Sequence, residues 1–524
     1  MDVSRRTVLA GGAVLAGAAA LGLGPALPVR RAAAADRPAL PIPAELRADA
    51  MGEIHIAAQA GEMQFRPGPL TPTYGFNGPF LGPAIRVRRG DAPVVRVSNR
   101  LTQDITLHWH GLIIPGPKDG GPYRLIPPGT DWMVQLPIRQ PAETLWFHPH
   151  IYPSTAELVI RGLAGLFIID DEEGDALGLP ASWGVDDIPV ILQDRRFQAD
   201  GAFFHRFNTL AVGMGYVGDT MLVNGAIDPV VRTAKGWLRL RILDGSNARN
   251  YRLAASDGRT LHVIASDGGL LAEPVALKEL PIAAGERYEI LVDARDGKPF
   301  DLVSLPVAHQ AIMRLPPFDA PLPLLTVRPD GAEGRGRLPD RLASLPAIPD
   351  RLPPVSQGLV MQMYRDVEAQ KLMRETGFMA MVKSGRTDPA VVARVVQAIE
   401  TGPALPLKAQ LTANGINGRS FSLIQKGFDV PVDTDLVWAF SEETDRMLHP
   451  IHIHGCQYRV VARDGKPPPP ILAGWKDTLP IENGGTAEIF VRFPYKAGAD
   501  APYMAHCHNL EHEDSGMMTE FTVS

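Results

Sequence analysis

Ala84-Ile85-Arg86-Val87-Arg88 leads through the turn Arg89-Gly90-Asp91 to Val94-Val95-Arg96-Val97-Ser98-Asn99. Apolar and polar residues alternate in both runs, which is the period of a strand with one buried face. The pattern recurs twice. Met221-Leu222-Val223-Asn224-Gly225-Ala226 leads to Leu238-Arg239-Leu240-Arg241-Ile242-Leu243, and Asn414-Gly415-Ile416-Asn417-Gly418 leads to Leu436-Val437-Trp438-Ala439-Phe440. Each copy has a second half that opens on a turn. Gly129-Thr130 precedes Met133-Val134-Gln135-Leu136, Gly285-Glu286 precedes Tyr288-Glu289-Ile290-Leu291-Val292, and Gly484-Gly485 precedes Ala487-Glu488-Ile489-Phe490-Val491. Such a repeat predicts three copies of one β-sandwich unit.

Length agrees, because 524 residues exceed a single core and suit roughly three domains of ~100–200 residues. The content of 49 Pro and 51 Gly fits many short strands and turns. The reading divides the chain into residues 40–172, 173–330 and 406–524, with a linker and insert at 331–405. The insert breaks the β pattern: Asp388-Pro389 is a helix start, Ala390 to Thr401 runs helically, and five Met lie between Met361 and Met381.

Residues 1–35 read as an export signal. Ser4-Arg5-Arg6-Thr7-Val8-Leu9 is a twin-arginine pattern, followed by a Gly/Ala-rich apolar run and by Ala33-Ala34-Ala35. This predicts a protein exported folded to the periplasm, with no membrane association after signal cleavage. Without the four Arg and one Asp of that segment, the formal charge of −6 becomes −9, which excludes nucleic acid as a partner. The two cysteines are Cys456 and Cys507. The surroundings of Cys507 ask for a free thiol, so no disulfide is expected, and Cys456 reads as a small buried hydrophobe.

Ten of the 14 His fall in four short runs: 108/110, 148/150, 449/452/454 and 506/508/512. On a strand, an i, i+2 pair places both imidazoles on one face ~6.5–7 Å apart. That is too far to chelate one ion comfortably, but each imidazole can serve a different ion of a cluster. Four such pairs, two from each end domain, predict a cluster lined by eight imidazoles in an interdomain cleft. The run His506-Cys507-His508-Asn509-Leu510-Glu511-His512-Glu513-Asp514-Ser515-Gly516-Met517 adds thiolate and thioether to imidazole, the ligand set that copper takes. Cys507 points away from His506 and His508 and so to a second site. The middle copy has Asn250-Tyr251-Arg252 where the others have histidines, and it reads as a spacer without ligands.

His108-Trp109-His110-Gly111, His148-Pro149-His150, His449-Pro450-Ile451-His452-Ile453-His454-Gly455 and the run from His506 to Met517 together resemble the ligand motifs of the multicopper oxidases. The resemblance implies three cupredoxin-like Greek-key β-sandwiches, an all-β fold with a short Met-containing helical insert. It implies four copper ions. His449, Cys507, His512 and axial Met517 would hold the type 1 ion, and His108 and His452 the type 2 ion. His110, His148, His150, His454, His506 and His508 would hold the type 3 pair. It also implies a monomer in which electrons pass from a reductant to Cys507, through His506 and His508, and on to dioxygen, giving water. Asp119 and Glu513 resemble acidic positions that serve proton transfer in this family.

Two reductants are open. Cu(I) is favoured by Met361, Asp366, Asp445 and Met447, which resemble the substrate-copper site of periplasmic copper-efflux oxidases and imply a role in copper tolerance. The insert departs from that type in having no His. A small aromatic reductant, a phenol or amine, is the laccase-like alternative. Cupredoxin-repeat proteins with division or assembly roles have lost copper ligands, and this chain keeps all twelve.

Overall fold

The computed structural model describes residues 37–524 apart from 308–319, most of 365–400, 443–446 and 483. Its described strands form six sheets, which pair into three sandwiches. In the first, Glu45–Leu46, Ala84–Arg88, Gly165–Asp170, Glu143–His148 and His108–His110 form one sheet. Thr71–Phe76, Glu53–Met63, Val94–Asn99 and Asp131–Gln135 form the other. Ile85, Trp109 and Phe147 from one sheet meet Ile54 and Val95 from the other in a single apolar core.

The repeat has a structural counterpart. In each sandwich its two halves are antiparallel neighbours, with registers Val95↔Val134, Leu240↔Ile290 and Trp438↔Ile489. In each, the first half also pairs in parallel with an earlier strand, through Ile54↔Val95, Val190↔Ile242 and Leu359↔Phe440. The expected three-sandwich, all-β architecture is therefore present.

The middle sandwich is wedged between its neighbours. Its strand Asp187–Arg195 is buried along its whole length, although an antiparallel sandwich strand ordinarily shows one face to water. Charged residues survive there because each is answered. Asp187 accepts from Arg241 at 2.7 and 3.0 Å, and Arg195 donates to the carbonyls of Ile160 and Val159 at 2.7 and 3.0 Å. Those carbonyls end the helix Thr155–Arg161 of the first sandwich, so Arg195 caps it across the domain boundary.

Two details differ from the sequence reading. Val355–Met363, which a Pro-, Leu- and Arg-rich context placed in the linker and insert, is a strand of the third sandwich, paired with Leu436–Glu442 and Asn414–Ile416. Leu359, Met361 and Met363 alternate inward and are buried, so period-2 burial outweighs the local composition. The strand Tyr503–Cys507 ends before His508, whose N–H instead bonds the Pro450 carbonyl at 2.6 Å. The helix expected over Ala390 to Thr401 lies almost wholly outside the described residues.

Candidate metal centres

All twelve sequence-predicted ligands are buried, none more than 1% exposed. The i, i+2 logic places them. His108–His110 and Glu143–His148 are antiparallel neighbours, with His108 opposite His148. His449–Ile453 and Tyr503–Cys507 are likewise paired, with His452 opposite His506. Donor atoms gather in groups within 4.8 Å of one another: His110, His148 and His508; His150, His454 and His506; and His108 and His452 beside His110. The 148/150, 452/454 and 506/508 pairs are thus split between groups, while His108 and His110 share one and His110 also belongs to a second. His449, Cys507 and His512 form a separate group, with Cys507 Sγ 3.5 Å from His449 Nδ1 and 3.6 Å from His512 Nδ1. Met517 is buried in the same apolar core as Cys507, and its carbonyl accepts from the Cys507 N–H at 3.1 Å.

Backbone carbonyls orient the rings. Nδ1 of His108, His148, His452 and His506 lies 3.1, 2.8, 2.9 and 3.1 Å from the carbonyls of Asp119, Pro149, Asp477 and Cys507. A carbonyl only accepts, so Nδ1 carries the hydrogen and Nε2 turns a lone pair inward. His108 Nε2 then faces His452 Nε2 at 3.4 Å. Two inward lone pairs so close repel each other unless a cation lies between them. His110 is reversed: Nε2 meets Asp477 Oδ1 at 3.1 Å, and Nδ1 faces His148 Nε2 at 3.4 Å. Neither ring nitrogen of His508 has a hydrogen-bond partner. Burial, reinforced by neighbouring imidazoles, pushes His148, His454 and His508 well below the ordinary histidine range. Burial outweighs the Asp477 carboxylate at His452, which falls to about 4. Neutral imidazoles with convergent lone pairs and a thiolate-capable cysteine fit copper.

Asp119 and Glu513 both reach the cluster. Asp119 Oδ2 accepts from His454 Nδ1 at 2.8 Å and lies 3.4 Å from His108 Nδ1, while its Oδ1 has no hydrogen-bond partner. Gly120 makes this loop possible, because a Cβ there would sit 1.8 Å from the Leu107 carbonyl oxygen. Glu513 lies 3.5 Å from His150 Nδ1 and 3.2 Å from His506 Nδ1. Met361 is fully buried and Met447 packs against the same third-sandwich core; Asp366 and Asp445 lie outside the described residues.

Sequence reasoning missed four contributors. Asp477 touches His110 and His452, and Arg287 of the middle sandwich grips its two oxygens at 2.7 and 2.5 Å. Burial pushes Asp477 up, but Arg287 and His110 outweigh it and hold the carboxylate well below its usual range. Trp146 stacks on His148 with ring centroids 4.1 Å apart. Gly285, also from the middle sandwich, presses on the His508 ring. The available signals were the charged pair Lys476-Asp477 between the apolar Trp475 and Leu479, and the alternation that puts Trp146 on the face of His148. Among its described residues the spacer brings no side chain to these groups, but it does shape the centre.

Three domain families, each described as multicopper oxidase, match residues 57–174, 206–312 and 400–524. The chain is 33% identical to Cell division protein FtsP of Escherichia coli (strain K12), over 100% of this chain and 99% of that protein. It is 31% identical to Multicopper oxidase mco of Staphylococcus aureus, over 90% of this chain and 88% of that one. Among solved structures, the laccase-like multi-copper oxidase CueO from Ochrobactrum sp., with oxidase activity towards lignin model compounds and lignosulfonate, superposes with a TM-score of 0.78. The identity is 34%, and the match covers 93% of this chain and 100% of that chain. A multi-copper oxidase from Pediococcus acidilactici superposes with a TM-score of 0.75 at 32% identity, covering 93% of this chain and 92% of that chain.

Proposed function

The chain belongs to the multicopper oxidase family, and from that premise we propose that it couples one-electron oxidation of a reductant to four-electron reduction of dioxygen to water. The observation that carries this reading is the His108 and His452 pair, whose Nε2 atoms face each other at 3.4 Å with both Nδ1 atoms committed to carbonyls. A role in division or assembly without chemistry leaves that opposition unexplained.

On this reading His449, Cys507, His512 and Met517 hold a type 1 copper. His108 and His452 hold a type 2 copper, and the two remaining three-histidine groups hold a type 3 pair. Bound copper supplies one-electron redox chemistry and the capacity to give dioxygen four electrons. The protein supplies the connection. Cys507 lies between His506 and His508, and those two rings belong to different histidine groups, so one run of backbone joins the electron-accepting thiolate to both halves of the cluster. Carbonyls fix the tautomers of His108, His148, His452 and His506, and carboxylates those of His110 and His454. Asp119 and Glu513 hold or move protons beside His108, His150, His454 and His506.

The reductant in this proposal is Cu(I), in a copper-tolerance role. Met447 stands two residues before His449 and packs against the core that contains Cys507, and a thioether favours Cu(I). Likeness to an oxidase of lignin model compounds supports a second reading, oxidation of small phenols or aromatic amines. The protein acts as a monomer in the periplasm, reached through its twin-arginine segment. No described helix is long and apolar enough to cross a membrane.

Oxygen consumption with Cu(I) and with a phenol, each with and without excess Cu(II), tests the proposal. Copper loading gives an intense blue colour, and a colourless loaded protein ends the oxidase reading. If Met361→Leu combined with Asp445→Ala leaves Cu(I) turnover intact, the cuprous assignment fails and the aromatic reductant takes its place.

A further inference from the structure

His512 stands on the helix Leu510–Glu513, a single turn. A helix this short does not hold its own shape in water and depends on tertiary contacts. Glu511, the residue before His512, makes them. It is fully buried, and its carboxylate meets the middle sandwich. Oε1 accepts from Asn247 Nδ2 at 2.8 Å and lies 3.2 Å from His205 Nε2, and Oε2 accepts from the Tyr216 N–H at 2.8 Å. An amide NH2 and a backbone N–H only donate, so each oxygen is committed as an acceptor. The Asn247 amide is itself oriented, because Nδ2 also donates to the Ala156 carbonyl at 3.1 Å.

The backbone of the turn is held from the same side. The Leu510 N–H donates to the Asn247 carbonyl at 3.0 Å, and the Glu511 carbonyl accepts from Ser515 Oγ at 2.5 Å. Asp514, just beyond the turn, accepts from the N–H groups of Thr155 and Ala156 at 3.1 and 2.8 Å. All three sandwiches therefore meet around four residues. The ring that this arrangement places is His512, whose Nδ1 lies 3.6 Å from Cys507 Sγ. Cys507 belongs to a strand of the third sandwich, so the distance between thiolate and imidazole depends on how the turn is docked. Ligand geometry and the charges and hydrogen bonds behind the ligands are what tune a copper potential.

We propose, on the oxidase reading above, that Glu511 is a positioning residue for the type 1 copper: through it the middle sandwich fixes His512 against Cys507 and sets the reduction potential of that site. A buried carboxylate beside the site favours the doubly charged ion over the singly charged one, and its three contacts hold the ring in place. Glutamine keeps the shape but has one acceptor oxygen. Its NH2 then confronts either the Tyr216 N–H or the donors at Oε1, and the negative charge is gone. Reduction by a donor becomes easier, and delivery of the electron through Cys507 becomes harder.

Two measurements on the full chain test this. In the copper-loaded protein, Glu511→Gln stays blue, but its type 1 potential rises by about 59 mV, a tenfold change in the one-electron equilibrium. His205→Ala removes one donor and leaves the carboxylate, so it gives a smaller shift, and it adds nothing in the Glu511→Gln background. In the copper-free protein, hydrogen exchange of the amides from Leu510 to Met517 speeds about tenfold in Glu511→Gln, while the strands of the first sandwich exchange as in wild type. An unchanged potential overturns the proposal whatever the exchange shows, since a purely structural tether loosens the helix and leaves the potential alone. A raised potential with unchanged exchange overturns the positioning role, because then only the charge acts. If Glu511→Gln does not fold, His205→Ala carries both measurements, and wild-type values in it overturn the proposal. A wild type that binds copper and stays colourless brings down the oxidase reading with it.

Discussion

Asp477→Asn tests how the middle sandwich acts on the centre. Asp477 gives Arg287 two acceptors, at 2.7 and 2.5 Å, and gives His110 Nε2 one, at 3.1 Å. Asparagine has one acceptor oxygen and one NH2 donor. If the oxygen faces Arg287 Nη2, the NH2 confronts the N–H groups of His110 and Arg287. If it turns over, Arg287 Nη2 loses its partner. Breaking a buried ion pair costs about 3–5 kcal/mol. Asp267 Oδ1, 3.6 Å from Arg287 Nη1, keeps a partial countercharge, so the cost falls near the lower bound, about 3 kcal/mol. Losing a partner that orients a metal-ligating histidine costs about 10–100-fold in metal affinity, or ~1.4–2.7 kcal/mol. The effect is confined to the histidine cluster, because Asp477 does not reach His449, Cys507 or His512. The assay is copper per chain and blue absorbance per chain, with urea unfolding of the copper-free protein. Copper content drops while the blue colour stays, and the copper-free midpoint shifts down. Full copper content with an unchanged midpoint would refute the assigned roles of Asp477 and Arg287.

Two further outcomes follow from single residues. Burial pushes Glu289 up, but Arg239 and Arg241 outweigh it and set it at about 2 against an ordinary value of 4.5. A depressed carboxyl stabilises the fold above its unfolded value and loses that contribution as pH falls towards its folded one. Between pH 4.5 and 2 wild type therefore loses about 3 kcal/mol that Glu289→Gln never had, and urea midpoints across this window converge; parallel curves would contradict it. Gly285 has φ +86°, and a Cβ there would lie 2.7 Å from His508 Cγ. Gly285→Ala costs about 1–3 kcal/mol in backbone strain and displaces His508, so cluster copper is lost while the blue colour persists.

The fold was legible because the repeat consists of strands with one buried face, and period-2 alternation survives in them. Val355–Met363 was obscured by neighbouring Pro and Arg, although its own inward residues, Leu359, Met361 and Met363, follow the same period. The candidate ligands stood out because metal binding demands particular side chains at i, i+2, and the structure sends three of the four pairs, all but His108 and His110, to different groups. Asp477, Arg287 and Gly285 were not legible, since their roles depend on contacts with distant parts of the chain. Arg287 meets Asp477 across the boundary between the second and third sandwiches, and Gly285 meets His508 across the same boundary. Nothing local marks Arg287 or Gly285, because a strand arginine ordinarily sits on a solvated face and a turn glycine is common; for Asp477 the one local sign was its charged pair with Lys476 among apolar neighbours.

The charge around the cluster gives the middle domain a part in it. Three carboxylates, Asp119, Asp477 and Glu513, touch the imidazoles and orient them. Buried negative charge of this kind favours a bound cation but destabilises the chain before one arrives. Of the three, Asp477 bonds a buried guanidinium, and that guanidinium belongs to the middle sandwich. Lys476, next in sequence, is buried against Asp267 at 2.9 Å and Glu286 at 2.6 Å of the same sandwich. The second and third domains therefore exchange charges in both directions beside the site: the second gives Arg287 to Asp477, and the third gives Lys476 to Asp267 and Glu286. A spacer that merely set the distance between the end domains would need no such exchange. Each charge placed here has its nearest opposite charge on the other domain, so a folded end domain without the middle one would leave it without that partner. Docking of the middle domain and readiness to accept copper are, on this argument, one event.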